Sequence, residues 1–398
     1  MARIGLFPAI GLTVGLWIAI SAAAAADGEA WATRALMRTL SKPLGLPPVV
    51  HPPSNPPTAA KLVLGRKLFF DRRLSLNGTM SCAMCHVPEQ GFASNELSVA
   101  VGLAGRSARR NAPTIVNVAF YQSLFQDGRE SSLETQFISP LLASNEMANP
   151  SLGNVIQKLR NFADYRGLFE AAFGEQVSPD RVGMALAVYQ RTLISADSAF
   201  DRWQYSGQKA ALTESASRGY QLFANRAGCH LCHLVSADNA TFTDHLFHDT
   251  GWGWARERAR QHPPSEQRVQ VAPGVFYTIP MAVVESVQEP LVPDLGRYEV
   301  TLDPADLWQY RTPSLRNVAL TAPYMHDGGI LTLRGVVEFY NAGGVNHPRQ
   351  SALIKPLGLS SHEIDDLVAF LRALTGGNSD QLIREARNAR PDNPQQPR

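Results

Sequence analysis

Two short motifs contain all four cysteines of the 398-residue chain, and each motif ends in a histidine. The shared spacing is Cys-x-x-Cys-His, and the residues are Cys82, Cys85 and His86, then Cys229, Cys232 and His233. Three kinds of site use these side chains: a zinc centre, redox disulfides or covalently attached haem. A zinc ribbon needs both cysteine pairs close together, and a thioredoxin-like pair usually lacks the trailing histidine. Neither explains why a histidine directly follows each second cysteine.

Covalently attached haem does explain that histidine. The two thiols add to the vinyl groups of the porphyrin, and the adjacent imidazole falls on the iron as its proximal ligand. We therefore predict two covalently bound haem c groups, with His86 and His233 as the proximal ligands. His230 lies inside the second motif, and we interpret it as a spacer rather than an iron ligand.

The ligand opposite each proximal histidine decides the chemistry of the iron. An iron with both axial positions filled transfers electrons, whereas an open position can bind peroxide. No histidine occurs between Val87 and Gly228. The first haem therefore has no candidate distal imidazole in its own domain, and we predict that it is open. A plain electron carrier is the alternative.

Apolar residues at helical spacing predict a mainly α fold that positions these motifs. The predicted helices cover residues 58–71, 132–142, 152–159, 178–194, 214–225 and 361–374. Each motif follows a Leu-Phe pair, in "GRKLFFD" and "GYQLFANRAG". This weak repeat predicts two cytochrome c-like helical haem domains, residues 58–195 and 196–378. Long irregular loops join the helices, and the excursion over residues 253–307 has room for one hairpin.

The two ends of the chain predict export and little structure. Residues 1–26 combine Arg3, an apolar run and small residues up to Ala26, which predicts a signal peptide cleaved near Ala26. A membrane anchor is the alternative, because the run approaches the roughly 20 residues that a span needs. We expect a periplasmic protein without a stable membrane span. Residues 27–57 are predicted to be a proline-rich extended lead-in, and residues 379–398 a disordered tail.

Beyond the two motifs, most of the mature chain resembles the bacterial di-haem cytochrome c peroxidases and their relative MauG. The similar stretches include "RNAPTIVNVAF", "DGRESSLETQFISPLLASNEM" and "YRTPSLRNVALTAPYMHDGGILTLRGVVEFYNAGG". The resemblance implies that the N-terminal haem reduces hydrogen peroxide with electrons passed through the C-terminal haem from a small redox protein, a cytochrome c or a cupredoxin. In a MauG-like oxidase, the peroxide equivalents would instead modify a tryptophan or another residue of a partner protein. A formal net charge of +2 gives no reason to expect nucleic acid as a partner.

The resemblance also assigns residues to the peroxide pocket of the first haem. Glu146, in "SNEM", matches the distal acid, and Gln136 and Pro140 match neighbouring pocket positions. A carboxylate beside an open iron can move a proton from the inner to the outer peroxide oxygen. A solvated surface carboxylate is the alternative for Glu146.

At the second haem, the resemblance places the other axial ligand at Tyr340, seventeen residues beyond Pro323. The peroxidases have methionine there and MauG has tyrosine. A phenolate stabilises oxidised iron better than a thioether does. Met325 is the rival ligand by chemistry but not by position, and a plain core aromatic is the alternative role of Tyr340.

Calcium and the path between the haems complete the implied site. Asn111, Thr321 and Pro323 match the family's calcium-binding positions, and their oxygen donors suit a hard cation; Asn111 could instead cap a turn. Gln126 stands where the family usually has a tryptophan between the haems, so fast exchange would need another aromatic residue such as Tyr121 or Phe125. His245 and His248 follow the second motif and could hydrogen-bond haem propionates or pack at the surface.

Overall fold

The computed structural model describes residues 30–262, 264–287 and 292–388. The α-helices are α1 (30–40), α2 (Ala59–Phe70), α3 (Leu133–Gln136), α4 (Ile138–Leu142), α5 (Leu152–Asn161), α6 (Leu168–Phe173), α7 (Pro179–Arg191), α8 (Ala199–Tyr205), α9 (Glu214–Ala224), α10 (Trp252–Gln261), α11 (Met281–Val287), α12 (Tyr298–Thr301), α13 (Leu333–Asn341), α14 (Ser361–Arg372) and α15 (Ser379–Arg387). The strands are β1 (Phe247–His248), β2 (Glu266–Ala272), β3 (Val275–Pro280) and β4 (Tyr310–Arg311), and they form two antiparallel pairs, β1–β4 and β2–β3. The predicted mainly α fold is confirmed. Within the described ranges, no helix is both long and apolar enough to cross a membrane.

Local signals account for most helix boundaries. Ser178 caps α7 by accepting a hydrogen bond from the backbone N–H of Arg181. Ser360 and Glu363 form the capping box that starts α14. The single helix predicted over residues 132–142 is wrong in one respect, because it is broken into α3 and α4. Pro140 lacks the N–H that would bond the carbonyl of Gln136, so a continuous helix cannot form there.

The apolar side chains form two main cores, one in each half of the chain. In the first, α2 crosses α7 so closely that a Cβ at Gly65 would clash with the carbonyl oxygen of Ala185. In the second, α9 crosses α14, and a Cβ at Gly219 would clash with the carbonyl oxygen of Asp366. Each helix that delivers the chain to a haem motif is therefore held by a glycine contact with a later helix.

A second structural repeat links the two halves with a spacing of 200 residues. Asn117 and Asn317 both adopt left-handed backbone angles, with φ of 61° and 59°, before a single turn of 3-10 helix. Further along, isolated bridges pair Leu124 with Glu130 and Tyr324 with Ile330. Phe125 and Met325 occupy equivalent left-handed positions in these two turns. The two halves thus share loop geometry as well as helices.

Both ends of the described chain differ from the predictions. Residues 30–40 form a helix that buries Trp31 in the first core, so the lead-in is not extended throughout. Part of the predicted disordered tail forms α15, with Leu382 and Ala386 buried in that same core. Glu385 of α15 accepts a hydrogen bond from Arg38 at 2.8 Å. The predicted signal peptide, residues 1–26, and residues 389–398 lie outside the described residues.

The excursion over residues 253–307 is more regular than predicted. The expected hairpin is present as β2–β3, with a register shift between Gln270 and Ala272. Most of α10, together with α11 and α12, lies in the same stretch, so the prediction of an irregular segment is wrong for these residues. The helix α10 begins after Gly251, whose φ of 81° suits glycine.

Candidate haem sites

Each Cys-x-x-Cys-His motif forms one tight turn that places its three side chains on the same side of the backbone. The amides of Cys85 and His86 both donate to the carbonyl of Cys82, at 3.2 and 3.0 Å. The second motif repeats this geometry, with the amides of Cys232 and His233 donating to Cys229 at 3.3 and 3.0 Å. The spacing of the motif thus closes a local turn that does not depend on the rest of the fold.

The cysteines do not form the alternative sites considered for them. No disulfide joins any two of the four within the described residues. Cys82 and Cys85 pack against the first core and Cys229 against the second, so the cysteine pairs are not brought together as a zinc ribbon requires. Burial is the main cause that raises the pKa of Cys82 and Cys229, each to about 12. Such apolar surroundings suit neutral thioethers.

Both proximal histidines are oriented by a backbone carbonyl. His86 Nδ1 lies 3.2 Å from the carbonyl oxygen of Phe92, and His233 Nδ1 lies 2.9 Å from that of Phe242. A proton on Nδ1 donates in each contact, which leaves Nε2 to ligate a metal. Burial lowers the pKa of both rings, so they are neutral and able to bind iron. These residues fit covalently attached haem.

A cavity of about 330 Å³ lies beside the second motif. This volume is in the range of pockets that hold small organic ligands. Its lining is largely apolar, and the aliphatic side chains include Leu333, Val336, Val337, Leu367 and Leu371. Cys229, Cys232 and His233 open onto the same cavity, which therefore suits a hydrophobic macrocycle held by the second motif.

Both candidates for the other axial ligand of the second haem line this cavity. Tyr340 lies on α13, and burial is the main cause that raises the pKa of its phenol, with further contributions from nearby Cys232 and Cys229. Met325 lies in the loop before α13 with a φ of 72°. The structure thus brings both side chains to the cavity that contains His233.

The predicted distal acid lies beside the first motif. Glu146 belongs to the loop after α4, and its carboxylate is close enough to contribute, after burial, to the raised pKa of Cys82 and Cys85. Burial raises the pKa of Glu146 itself, and Arg129 partly opposes that shift. Among the described residues, the carboxylate accepts no hydrogen bond, so it is available to a ligand at the first haem.

The other two predicted pocket residues lie at the break between α3 and α4. Gln136 is the last residue of α3 and is half-buried. The carbonyl of Pro140 accepts a hydrogen bond from the amide of Met147 at 3.1 Å, which ties α4 to the loop that carries Glu146. Asn149 adds a second tie by donating to the carbonyl of Leu141 at 3.0 Å. The structure therefore holds Glu146 against α4.

The predicted calcium residues come from both halves of the chain. Asn111, Thr321 and Pro323 all line the large cavity. The amide nitrogen of Asn111 donates to the carbonyl of Ser98 at 2.9 Å, and its side-chain oxygen accepts no hydrogen bond within the described residues. A free amide oxygen near backbone carbonyls fits a hard cation.

Gln126 joins the halves where the family has a tryptophan. Its amide nitrogen donates to the carbonyls of Asn111 and His326, at 2.8 and 3.4 Å. Nearby, the phenol of Tyr121 accepts a hydrogen bond from the amide of Ser314 at 2.7 Å. Tyr121 therefore crosses between the halves.

The remaining aromatic and histidine candidates lie around this junction. The guanidinium of Arg129 stacks on Phe125 at 3.5 Å. The ring of His245 meets the ring of Tyr121 edge-on at 6.3 Å. His248 Nε2 lies 2.7 Å from a carboxylate oxygen of Asp244.

Asp244 is a residue that the sequence analysis missed. Its carboxylate, His248 and Cys232 have one potential ligand atom each within 4.8 Å of one another. In a protein with haem on Cys232, this thiol is already consumed as a thioether, so the pair Asp244–His248 lies beside the second haem rather than forming a separate metal site. The spacing of four residues in "DHLFH" is the signal that could have suggested the pair.

Comparisons with known proteins agree with this geometry. A family model for di-haem cytochrome c peroxidase matches residues 59–210. A cytochrome-c peroxidase, IdrP1, of Denitromonas iodatirespirans is 37% identical over 92% of this chain and 93% of its own length. The methylamine utilization protein MauG of Methylorubrum extorquens is 36% identical over 89% of this chain and 88% of its own length.

Solved structures give the same result. A MauG-like protein associated with microbial copper homeostasis superposes with a TM-score of 0.67 and 32% identity, and the match covers 86% of this chain and 95% of that one. The diheme peroxidase BthA of Burkholderia thailandensis superposes with a TM-score of 0.65 and 26% identity, covering 85% and 93% of the two chains.

Proposed function

The chain belongs to the di-haem cytochrome c peroxidase family, oxidoreductases that act on peroxide with two haem c groups, and we propose that it reduces hydrogen peroxide at an open N-terminal haem. Electrons reach that haem through the C-terminal haem from a small redox protein, a cytochrome c or a cupredoxin. This reaction takes place in the periplasm, after the signal peptide has been cleaved near Ala26.

The observation that carries this proposal is the carboxylate of Glu146. It is half-buried beside the first motif and accepts no hydrogen bond within the described residues, and no histidine occurs between Val87 and Gly228 to fill the iron's open position. A carboxylate left unpaired in an apolar site costs stability, which is typical of functional groups. A merely structural glutamate would be expected to have a partner.

The protein's own groups account for the proton movements. Haem, when bound, supplies the iron that receives the peroxide and the electrons that break its O–O bond. Glu146, in its ionised form, accepts the proton of the inner peroxide oxygen and returns it to the outer oxygen, which leaves as water. Gln136 hydrogen-bonds the peroxide and orients it. Because burial raises the pKa of Glu146, the activity falls as the pH drops through that pKa and the carboxylate becomes protonated.

Calcium has a positioning role in this proposal. Asn111 would bind the ion through its side-chain oxygen, and Thr321 and Pro323 through their backbone carbonyls. Since Asn111 belongs to the first half of the chain and the other two to the second, the ion would fix the two haem domains relative to each other. The backbone N–H of Asn111 also donates to the carbonyl of His326 at 2.7 Å, which supports this arrangement.

A second candidate function, a MauG-like oxidase, is supported by Tyr340. A phenolate ligand at the second haem favours oxidised iron and makes it easier to hold oxidising equivalents for a protein substrate. Tyr340 and His233 line the same cavity, which is consistent with that role. In this case, the equivalents would modify a tryptophan or another residue of a partner protein.

Spectroscopy of the purified protein tests the proposal. The resting ferric enzyme is expected to show one high-spin and one low-spin haem without prior reduction. Two low-spin haems would contradict the open site and leave a plain electron carrier. Rapid oxidation of reduced cytochrome c or cupredoxin after addition of peroxide supports the peroxidase, whereas a long-lived oxidised state in the absence of donor supports the MauG-like oxidase.

A further inference from the structure

A row of aromatic rings leads from the cavity of the second haem toward the surface. The ring of Tyr340 meets that of Phe339 edge-on, with centroids 5.3 Å apart. Phe339 meets Trp252 in the same way, with centroids 5.5 Å apart and planes at 88°. Trp252 is the first residue of α10 and is half-buried. Each step in the row is a direct ring contact.

The indole of Trp252 is fixed in one orientation. Its Nε1–H donates to the carboxylate of Asp327 at 2.8 Å. The ring lies against Gly329, where a Cβ would meet it at 2.5 Å. The other carboxylate oxygen of Asp327 is 2.6 Å from Arg256, whose side chain is 57% exposed. Trp252 is therefore held by the carboxylate of Asp327, which also pairs with the exposed Arg256.

This environment suits loss of an electron from the indole. Tryptophan and tyrosine are the side chains that give up an electron most readily, whereas phenylalanine only bridges between them. The carboxylate of Asp327, hydrogen-bonded to Nε1–H, stabilises a positive charge on the ring. Arg256 opposes that charge from 5.9 Å, but its guanidinium is largely solvated and paired with Asp327, so its effect is screened.

We infer that Trp252 is the redox station through which the second haem exchanges electrons with a protein bound at α10. The inference rests on the peroxide chemistry proposed above. Trp252 gives one electron through Phe339 and Tyr340 toward the second haem, and the indole keeps its Nε1 proton as a cation radical. A bound protein then returns one electron to the ring. Hydrogen peroxide takes up two electrons and two protons to form two waters, so two such transfers complete one turnover.

The surface around the station indicates the kind of partner. Arg256 and Arg258 are exposed on α10, and Arg258 lies 4.9 Å above the ring of Trp254. A partner with an acidic patch complements this surface, and such complementarity steers encounter. The occupant of this surface is therefore an acidic electron-donor protein, which returns an electron to Trp252.

Trp254 provides a matched control on the same helix. Its ring stacks on His347 with centroids 4.9 Å apart, and among the described ring contacts it does not meet Phe339. Trp252→Phe and Trp254→Phe remove the same group from neighbouring positions. Only the first removes the last ring of the row.

The experiment uses the full-length, haem-loaded protein and hydrogen peroxide without any donor. Electron paramagnetic resonance should show a tryptophan radical in the wild-type protein and in W254F, and no such signal in W252F. Mass spectrometry of peptides should find oxygenation at Trp252 ahead of Trp254 and Trp308. The oxidised spectrum should decay about tenfold more slowly in W252F, equal to ~1.4 kcal/mol in the barrier. W252Y should restore most of the decay rate, because a phenol can also give up an electron.

The outcomes separate this inference from the proposed function. A wild-type protein whose spectrum does not respond to peroxide would contradict the proposed function itself. A wild-type protein that responds to peroxide, with the same radical and the same decay in W252F, would overturn only the role of Trp252. Equal loss in W252F and W252Y, with haem content and circular dichroism unchanged, would also overturn it, because a redox role predicts rescue by tyrosine.

Discussion

Replacement of Glu146 by glutamine gives the sharpest test of the peroxide site. The substitution keeps the size of the side chain and removes its ability to accept a proton. General acid–base catalysis contributes a factor of about 100 to 10,000, which corresponds to ~2.7–5.5 kcal/mol in the activation free energy. We therefore expect the rate at which peroxide oxidises the first haem, measured by stopped-flow absorbance, to be about 100 to 10,000 times lower in E146Q.

The structure also predicts what E146Q does to stability. Among the described residues, the carboxylate accepts no hydrogen bond, so the substitution breaks none. Because burial raises the pKa of Glu146 in the folded protein, ionisation of this group costs stability as the pH rises through that pKa. E146Q should therefore be at least as stable as the wild type at neutral pH in denaturant unfolding. A slow but stable variant cannot be explained by misfolding.

The pH dependence and a surface control complete this test. The wild-type rate should fall as the pH drops through the raised pKa of Glu146. The rate of E146Q should not show this decrease. Glu170 is an exposed carboxylate on α6, so E170Q should keep the wild-type rate and profile. If E146Q behaves like E170Q, then Glu146 is a solvated surface group and the proposed proton transfer is refuted.

Further perturbations probe the second haem, the calcium site and the fold. Tyr340→Phe should convert the low-spin haem to high-spin in absorption and paramagnetic resonance spectra. Tyr340→Met should raise the reduction potential of this haem by a sizeable part of the roughly 0.8 V that axial ligands span. Unchanged spectra in both variants would assign the ligand to Met325. Chelation of calcium should lower the turnover rate. Asn111→Ala should weaken rebinding of calcium about tenfold or more, ~1.4 kcal/mol, in a calcium titration. Equal calcium affinity in this variant and the wild type would remove Asn111 from the site. Asp201 and Arg316 form an ion pair at 2.9 Å with side chains 0% and 2% exposed. Asp201→Ala should therefore lower the free energy of unfolding, measured by urea titration, by ~3–5 kcal/mol. A change near zero would show that the pair is not buried in solution.

The sequence was sufficient where the relevant interactions are local. The motif spacing determines the turn that aligns Cys82, Cys85 and His86, because its hydrogen bonds join residues three and four apart. The same holds for the capping box of Ser360 and Glu363, which fixes the start of α14. Pro140 also carried the signal for the break between α3 and α4, although the predicted helix ran through it.

The elements that were missed depend on distant partners. The tail sequence has Leu382, Ile383 and Ala386 as the apolar residues of this helix, which is too little to predict it. The helix α15 becomes stable because Leu382 and Ala386 enter the first core and Glu385 bonds Arg38, a residue 347 positions earlier. Short helices gain most of their stability from such packing rather than from propensity.

The sequence by itself determined the two haem attachment turns, the mainly helical fold and the absence of any histidine between Val87 and Gly228. Only the tertiary structure decided contacts that no sequence pattern suggested, such as Gln126 with His326 and Trp252 with Phe339. The physical reason is that spacing along the chain sets the interactions within a turn or a helix. Contacts between residues far apart in sequence depend on how the two halves pack, which the local pattern does not encode.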